Sequence, residues 1–116
     1  HKARYGHRVA LRDGQDTYPT ALQPIIRTHP VSGKKALFVN TVFTTHIEGL
    51  NKPESEAVLA MLYAHIATPE FQCRFRWRDN SVAFWDNRCT QHRALWDYFP
   101  ETRHGYRVAV CGDKPF

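Results

Sequence analysis

Three residues late in this chain have types and spacing that suit chemistry: His92, Arg103 and Arg107. The histidine closes the stretch Trp85-Asp86-Asn87-Arg88-Cys89-Thr90-Gln91-His92, just past an apolar run. Neutral imidazole is the commonest metal ligand among side chains, and a strand end is a rigid platform that still faces a ligand. Arg103 and Arg107 differ by four, so on an extended strand they share a face. A planar guanidinium fork binds carboxylate or sulfonate-like groups, often through two parallel bonds. This order suits a metal centre whose acidic co-substrate is held by a fixed positive charge. Each residue also has an ordinary reading. A lone histidine is more often a hydrogen-bonded surface or core residue, and the two arginines suit salt bridges with Asp97 or Glu101. One histidine cannot hold a metal alone, and no convincing partner ligand accompanies it. His46-Ile47-Glu48 mimics a His-x-carboxylate pair, but Gly49-Leu50 places it in a loop before a helix, with Glu48 expected in solvent. His65 reads as an ordinary residue near a helix C-terminus, and His29 and His104 carry no recognisable spacing.

The elements that must position these residues are short. Residues 1–23 carry mixed charge with little periodicity and read as a loop or lid, with turns at Asp13-Gly14 and Tyr18-Pro19. Pro24 to His29 predicts a short strand, Pro30 to Lys34 a turn, and Ala36 to Val39 a second strand, together a hairpin. Asn51-Lys52-Pro53-Glu54 predicts a helix start, because asparagine caps, proline tolerates the first turn and glutamate follows the cap by three. Val58, Leu59, Leu62 and Ile66 then form one apolar stripe, and Thr68-Pro69 ends it. Phe71, Cys73, Phe75 and Trp77 alternate with polar residues and predict a strand with one buried face. Asp79-Asn80 reads as a turn, Val82 to Trp85 as a strand buried on both faces, and Tyr106 to Cys111 as the last strand. Mostly short strands with one outer helix point to a sandwich, jelly roll or barrel.

Bulk properties narrow the classes. A chain of 116 residues, 42% hydrophobic and 13% aromatic, fits one domain or part of a larger one. No apolar run approaches the roughly 20 residues of a membrane span. The net charge is +5 at pH 7. The densest basic group is Arg74, Arg76 and Arg78, whose alternation predicts a solvated sheet face rather than a nucleic-acid stripe. Three cysteines without a C-x-x-C pair indicate neither a disulfide framework nor a zinc knuckle. Cys73 and Cys111 fall in strand patterns and are expected as small core residues, which fits a reducing cytoplasm.

Several blocks, taken in order, carry a resemblance. They are Arg27-Thr28-His29-Pro30-Val31-Ser32-Gly33-Lys34, Ala36-Leu37-Phe38-Val39-Asn40 and Phe43-Thr44-Thr45, then Pro69-Glu70-Phe71-Gln72 and Trp85-Asp86-Asn87-Arg88, and last Thr90-Gln91-His92 and Gly112-Asp113-Lys114-Pro115-Phe116. From about Pro24 to Phe116 the chain resembles the taurine dioxygenase family, and residues 1–23 match poorly. The resemblance implies a mainly β fold with an outer helix, the double-stranded β-helix or jelly roll. Residues 1–116 would be the C-terminal portion of a single dioxygenase domain. It also implies Fe(II) as cofactor, 2-oxoglutarate as co-substrate, and a facial triad of two histidines and one carboxylate. His92 matches the distal histidine. The family's His-x-Asp pair is expected upstream, because His46 and Glu48 fall in a different block. Arg103 matches the arginine that binds 2-oxoglutarate, Arg107 the one that meets the substrate sulfonate, and Phe43 an aromatic residue lining the substrate pocket. The implied reaction consumes molecular oxygen and hydroxylates taurine or a related sulfonate beside sulfur, releasing sulfite with succinate and CO2. Alternatives are an enzyme acting on alkyl sulfates or aryloxyalkanoates, and a non-catalytic domain without a complete metal site. The expected partners are small anionic molecules and a second copy of the protein, not nucleic acid or membrane.

Overall fold

The clearest local instruction in the chain is the helix start. In the computed structural model, which describes residues 2–6 and 20–116, helix α1 runs Lys52–Ile66. Asn51 accepts from the Glu54 amide at 3.0 Å, and the Glu54 carboxylate accepts from the Asn51 amide at 3.1 Å. Two orphan amides are thereby satisfied by residues three apart. At the other end Ala67 and Thr68 donate to Tyr63 and His65 carbonyls before Pro69 forces the chain out. A single 3-10 turn, Pro69–Phe71, follows.

Among the described residues five strands accompany the helix: β1 Lys2–Gly6, β2 Thr20–Pro24, β3 Ile26–Thr28, β4 Lys35–Leu37 and β5 Thr44–Ile47. β1 lies between β2 and β5, antiparallel to both, with a register shift at Arg4/Tyr5 on the β5 side. β3 and β4 form the expected hairpin, pairing Ile26 with Leu37 and Thr28 with Lys35. Its turn closes through His29 N–H to the Lys34 carbonyl and Gly33 N–H to the His29 carbonyl. Gly33 has φ of 70°, a left-handed conformation that glycine adopts without steric cost.

The core lies where α1 covers β5. Val39 and Ile47 are fully buried and Leu59 nearly so, with Ile25, Leu50, Val58, Leu62, Tyr63 and Ile66 packed around them. The stripe read from the sequence is therefore the buried face. Ser55, also buried, faces this core because its hydroxyl accepts from the Ile47 amide at 2.8 Å.

Four expectations are corrected. Residues 1–23 are not wholly a loop, since β1 and most of β2 lie there; the turns at Asp13-Gly14 and Tyr18-Pro19 fall outside the described residues. Residues 72–78, 82–85 and 106–111 join no sheet among the described residues. Val82 and Phe84, expected inside, are exposed, Phe84 at 96%. Cys73 and Cys111 are exposed, not core residues. The physical reason is common to all three segments: burying a strand face needs a second layer, and none covers them among the described residues. Residues 78–81 do turn as expected, with Asn80 at φ 62° and Ser81 N–H bonded to the Arg78 carbonyl. The two sheets do not close on one another.

Replacing Ser55 by alanine leaves the buried Ile47 amide without its acceptor. We expect a loss of about 1–3 kcal/mol in denaturant unfolding with an unchanged m-value. A loss below a few tenths of a kcal/mol would mean that the amide finds another acceptor.

Candidate functional site

His92 is presented by a turn that its own backbone builds. The Asp86 carbonyl accepts from the Cys89 amide at 3.2 Å, the Thr90 amide at 3.0 Å and the Thr90 hydroxyl at 2.6 Å. The Asp86 carboxylate grips the same turn from the side. It accepts from the Arg88 amide at 2.8 Å, from Arg88 Nε at 2.9 and 3.1 Å, and from Arg88 Nη2 at 2.7 Å. This is the bidentate fork geometry that makes arginine–carboxylate pairs directional.

The turn is anchored to the β3–β4 hairpin from two directions. His29 Nε2 lies 3.1 Å from Asp86 Oδ2. The Ser32 amide donates to His29 Nδ1 at 3.1 Å, so neutral His29 carries its proton on Nε2 and donates it to Asp86. Gln91 Nε2 donates to the Val39 carbonyl at 2.8 Å, one residue before His92. The His92 ring then packs on Trp85, with centroids 4.6 Å apart, and the Trp85 indole N–H is fixed by Asn87 Oδ1 at 2.8 Å.

The Arg88 fork and the His29 bond hold the Asp86 carboxyl well below its ordinary value of 3.8. Asp86 raises Arg88 in return. At the chain's other end Asp113 accepts from Arg27 Nη2 at 2.9 Å. Burial pushes Asp113 up, but its own backbone amide, the Arg27 bond and the Arg27 and Arg88 charges outweigh this and lower it. Arg27 is 4% exposed, and its guanidinium also lies over the Phe38 ring at 5.3 Å. The Thr28 amide donates to the Phe116 carbonyl at 2.8 Å beside it.

His29, Asp86 and Cys89 place potential ligand atoms within 4.8 Å of one another. The Arg88 cation already occupies both Asp86 oxygens, so the trio reads as an ion-pair network rather than a cation site. His92 is not among the three. Its ring is exposed and makes no hydrogen bond among the described residues, so a nitrogen is available to a metal. His92 thus fits as one ligand of a metal, and the remaining ligands of a complete centre are not grouped around it among the described residues.

Arg103 and Arg107 are both exposed, and Arg103 lies over the Tyr98 ring at 5.7 Å. Neither makes an ion pair with Asp97 or Glu101 among the described residues. Phe43 sits in the turn before β5, its amide bonded to Asn40 Oδ1 at 2.8 Å. No hydrogen bond or ion pair joins His92, Arg103 and Arg107 to one another among the described residues. His46 lies on β5 and is exposed, so the loop expected at this position is a strand, and no further ligands are grouped around it among the described residues. Sequence reasoning gave no role to Arg27, His29, Asp86 or Asp113. The only signal for them was their place inside the blocks that carry the family resemblance.

The comparisons agree with that resemblance in family and correct its extent, since the match begins at residue 1 and not near Pro24. The taurine catabolism dioxygenase TauD, TfdA family matches residues 1–109. The chain belongs to this family. An alpha-ketoglutarate-dependent sulfonate dioxygenase of Saccharomyces cerevisiae is 39% identical over 98 residues, covering 83% of this chain and 24% of the relative. An alpha-ketoglutarate-dependent sulfate ester dioxygenase of Pseudomonas putida is 39% identical over 92 residues, covering 79% and 30%. A crystal structure of a taurine dioxygenase from Burkholderia xenovorans superposes with a TM-score of 0.62 at 39% identity, over 74% of this chain and 29% of that one. The chain therefore spans about a quarter to a third of the length of these relatives.

The lowered Asp86 carboxyl makes stability depend on acid. The folded state holds fewer protons on Asp86 than the unfolded chain does, so its stabilisation is complete above the ordinary value of 3.8 and is lost as pH falls below it. We expect the thermal midpoint to drop below pH about 4, and Asp86→Asn to drop less steeply over the same range. Parallel curves for the two proteins would assign the acid loss to other carboxylates.

Proposed function

We propose that this chain is the C-terminal portion of an Fe(II)- and 2-oxoglutarate-dependent dioxygenase that acts on taurine or a related sulfonate. The observation that carries this reading is His92, ring available, on a turn locked by Asp86 and tied to the hairpin. Family membership supports the same assignment. Residues 72–78, 82–85 and 106–111 support the partial-domain reading. They join no sheet among the described residues and expose apolar side chains, with Val108 96% exposed. Further strands of a double-stranded β-helix would cover them, and the other two metal ligands would come from that part.

When bound, Fe(II) supplies oxygen activation coupled to loss of CO2 from 2-oxoglutarate, which leaves succinate. This chain's residues do the rest by binding and exclusion. His92 donates a ring nitrogen to the metal. Arg103 pairs with the distal carboxylate of 2-oxoglutarate through its donor fork. Arg107 holds the substrate's sulfonate, which fixes the carbon beside sulfur within reach of the reacting centre. Phe43 packs on the substrate and helps to exclude water. Hydroxylation of that carbon gives a product that releases sulfite. A second reading takes a sulfate ester in place of the sulfonate. The Pseudomonas putida relative favours it, and Arg107 suits either anion.

Succinate formation by the full-length protein with Fe(II), 2-oxoglutarate and oxygen tests the reaction. Taurine-dependent succinate with equal sulfite supports the sulfonate reading; dependence on alkyl sulfates moves the assignment to esters. No succinate from folded, iron-loaded protein with either class sinks both. Arg103→Ala should weaken 2-oxoglutarate far more than substrate, and Arg107→Ala the reverse, each by about 10-fold or more for loss of a charged contact. Titration of both ligands against both variants checks this, and equal losses would refute the division. His92→Ala should abolish tight iron binding in the full-length protein, measured as metal content after dialysis.

A further inference from the structure

Among the described residues, long-range side-chain bonds join the β3–β4 hairpin and its flanks to the segments that carry the proposed ligand residues. Arg27 reaches Asp113 across 86 positions, His29 reaches Asp86 across 57, and the Val39 carbonyl receives Gln91 across 52. Arg27 and His29 are two positions apart, so both leave the same side of an extended backbone. One takes an aspartate six residues past Arg107, the other an aspartate six residues before His92. Arg88, clamped on Asp86, also acts on Asp113 through its charge. Two ion pairs, Arg27 with Asp113 and His29 with the Arg88-clamped Asp86, thus tie the arginine segment and the histidine turn to one hairpin. They do so without any strand pairing between those segments among the described residues.

We propose that this hairpin is the positioning element of the site. Arg27 sets the Arg103/Arg107 segment through Asp113, and His29 and the Val39 carbonyl set His92 through Asp86 and Gln91. The inference rests on the proposed roles of His92 and the arginines. None of the five ion-pair residues touches the ligands; each acts through a residue that does. Arg27 is suited to this because a buried guanidinium with Nη2 on a carboxylate and its face on Phe38 has little freedom to move. His29 is suited because Ser32 holds its second nitrogen and so fixes the ring.

Equilibrium dialysis of the full-length protein under nitrogen, first with Fe(II) and then with 2-oxoglutarate at saturating Fe(II), separates the two arms. Asp113→Asn and Arg27→Lys should weaken 2-oxoglutarate about 10-fold and leave Fe(II) within about 2-fold, as loss of an outer partner does elsewhere. Asp86→Asn and His29→Gln should weaken Fe(II) about 10- to 100-fold. Gln91→Ala removes only the bond to Val39 and should shift Fe(II) in the same direction, which keeps the test open should the Asp86 variant not fold. Asp113→Glu, which retains the charge, should recover part of the 2-oxoglutarate affinity. Wild-type affinities in every folded variant, or equal losses of both ligands in both sets, would overturn the positioning role while leaving the dioxygenase reading intact. A wild-type protein that binds neither ligand would overturn both.

Discussion

The Asp86 carboxylate is the constraint on which the C-terminal half of the described chain depends. It does three things at once: it closes its own turn through the Arg88 amide, neutralises the Arg88 fork, and receives His29 from the hairpin. A partly buried carboxylate left without partners would be costly. Here its oxygens are satisfied by donors from two parts of the chain. The turn that displays His92 is consequently held by directional bonds, with the His92 ring packed on Trp85. Exposed ion pairs contribute little to stability one by one. Their directional bonds still choose one arrangement among many, which fixes where the His92 ring is displayed.

The helix and hairpin were legible in the sequence because their signals are local. Asn51 and Glu54 are three residues apart, and so are the groups they satisfy. The Val58, Leu59, Leu62 and Ile66 stripe reports the face that packs on the core. The hairpin turn is equally local, with Gly33 supplying the left-handed residue. The candidate site was half legible. His92, Arg103, Arg107 and Phe43 were singled out through residue type and family resemblance, whereas the polar ties from the hairpin were not. His29 had no recognisable spacing because its partner lies 57 positions away. A single polar contact between distant residues leaves no period for a sequence pattern to reveal.

The strand expectations for 71–78, 82–85 and 106–111 show a different limit. Alternation of Phe71, Cys73, Phe75 and Trp77 with polar residues states that one face should be covered; it does not supply the cover. In the structure Phe75 and Trp77 meet only side by side, their rings edge-to-face at 4.9 Å, and both stay more than half exposed. The same holds for Val108 and Val110 on the arginine segment. Period two is thus a statement about a complete sheet.

This contrast explains why polar ties matter so much here. The apolar core under α1 orders β5, the hairpin flank and the helix, but it does not extend to the segments carrying His92 and the arginines. Among the described residues, what holds those segments to the core side is the set of bonds from Arg27, His29, Thr28 and Val39. Arg27 is the most consequential of them. It is nearly inaccessible, one of its nitrogens has no partner among the described residues, and its charge is balanced by a single aspartate from the far end of the chain. Burying a cation in that way is expensive unless the partner is held in place. The cost is tolerable because the Phe116 carbonyl and Thr28 amide fix the same stretch from the other side. The pair therefore acts as a condition on register: the arginine segment docks with Asp113 against Arg27, or it leaves a buried charge unpaired.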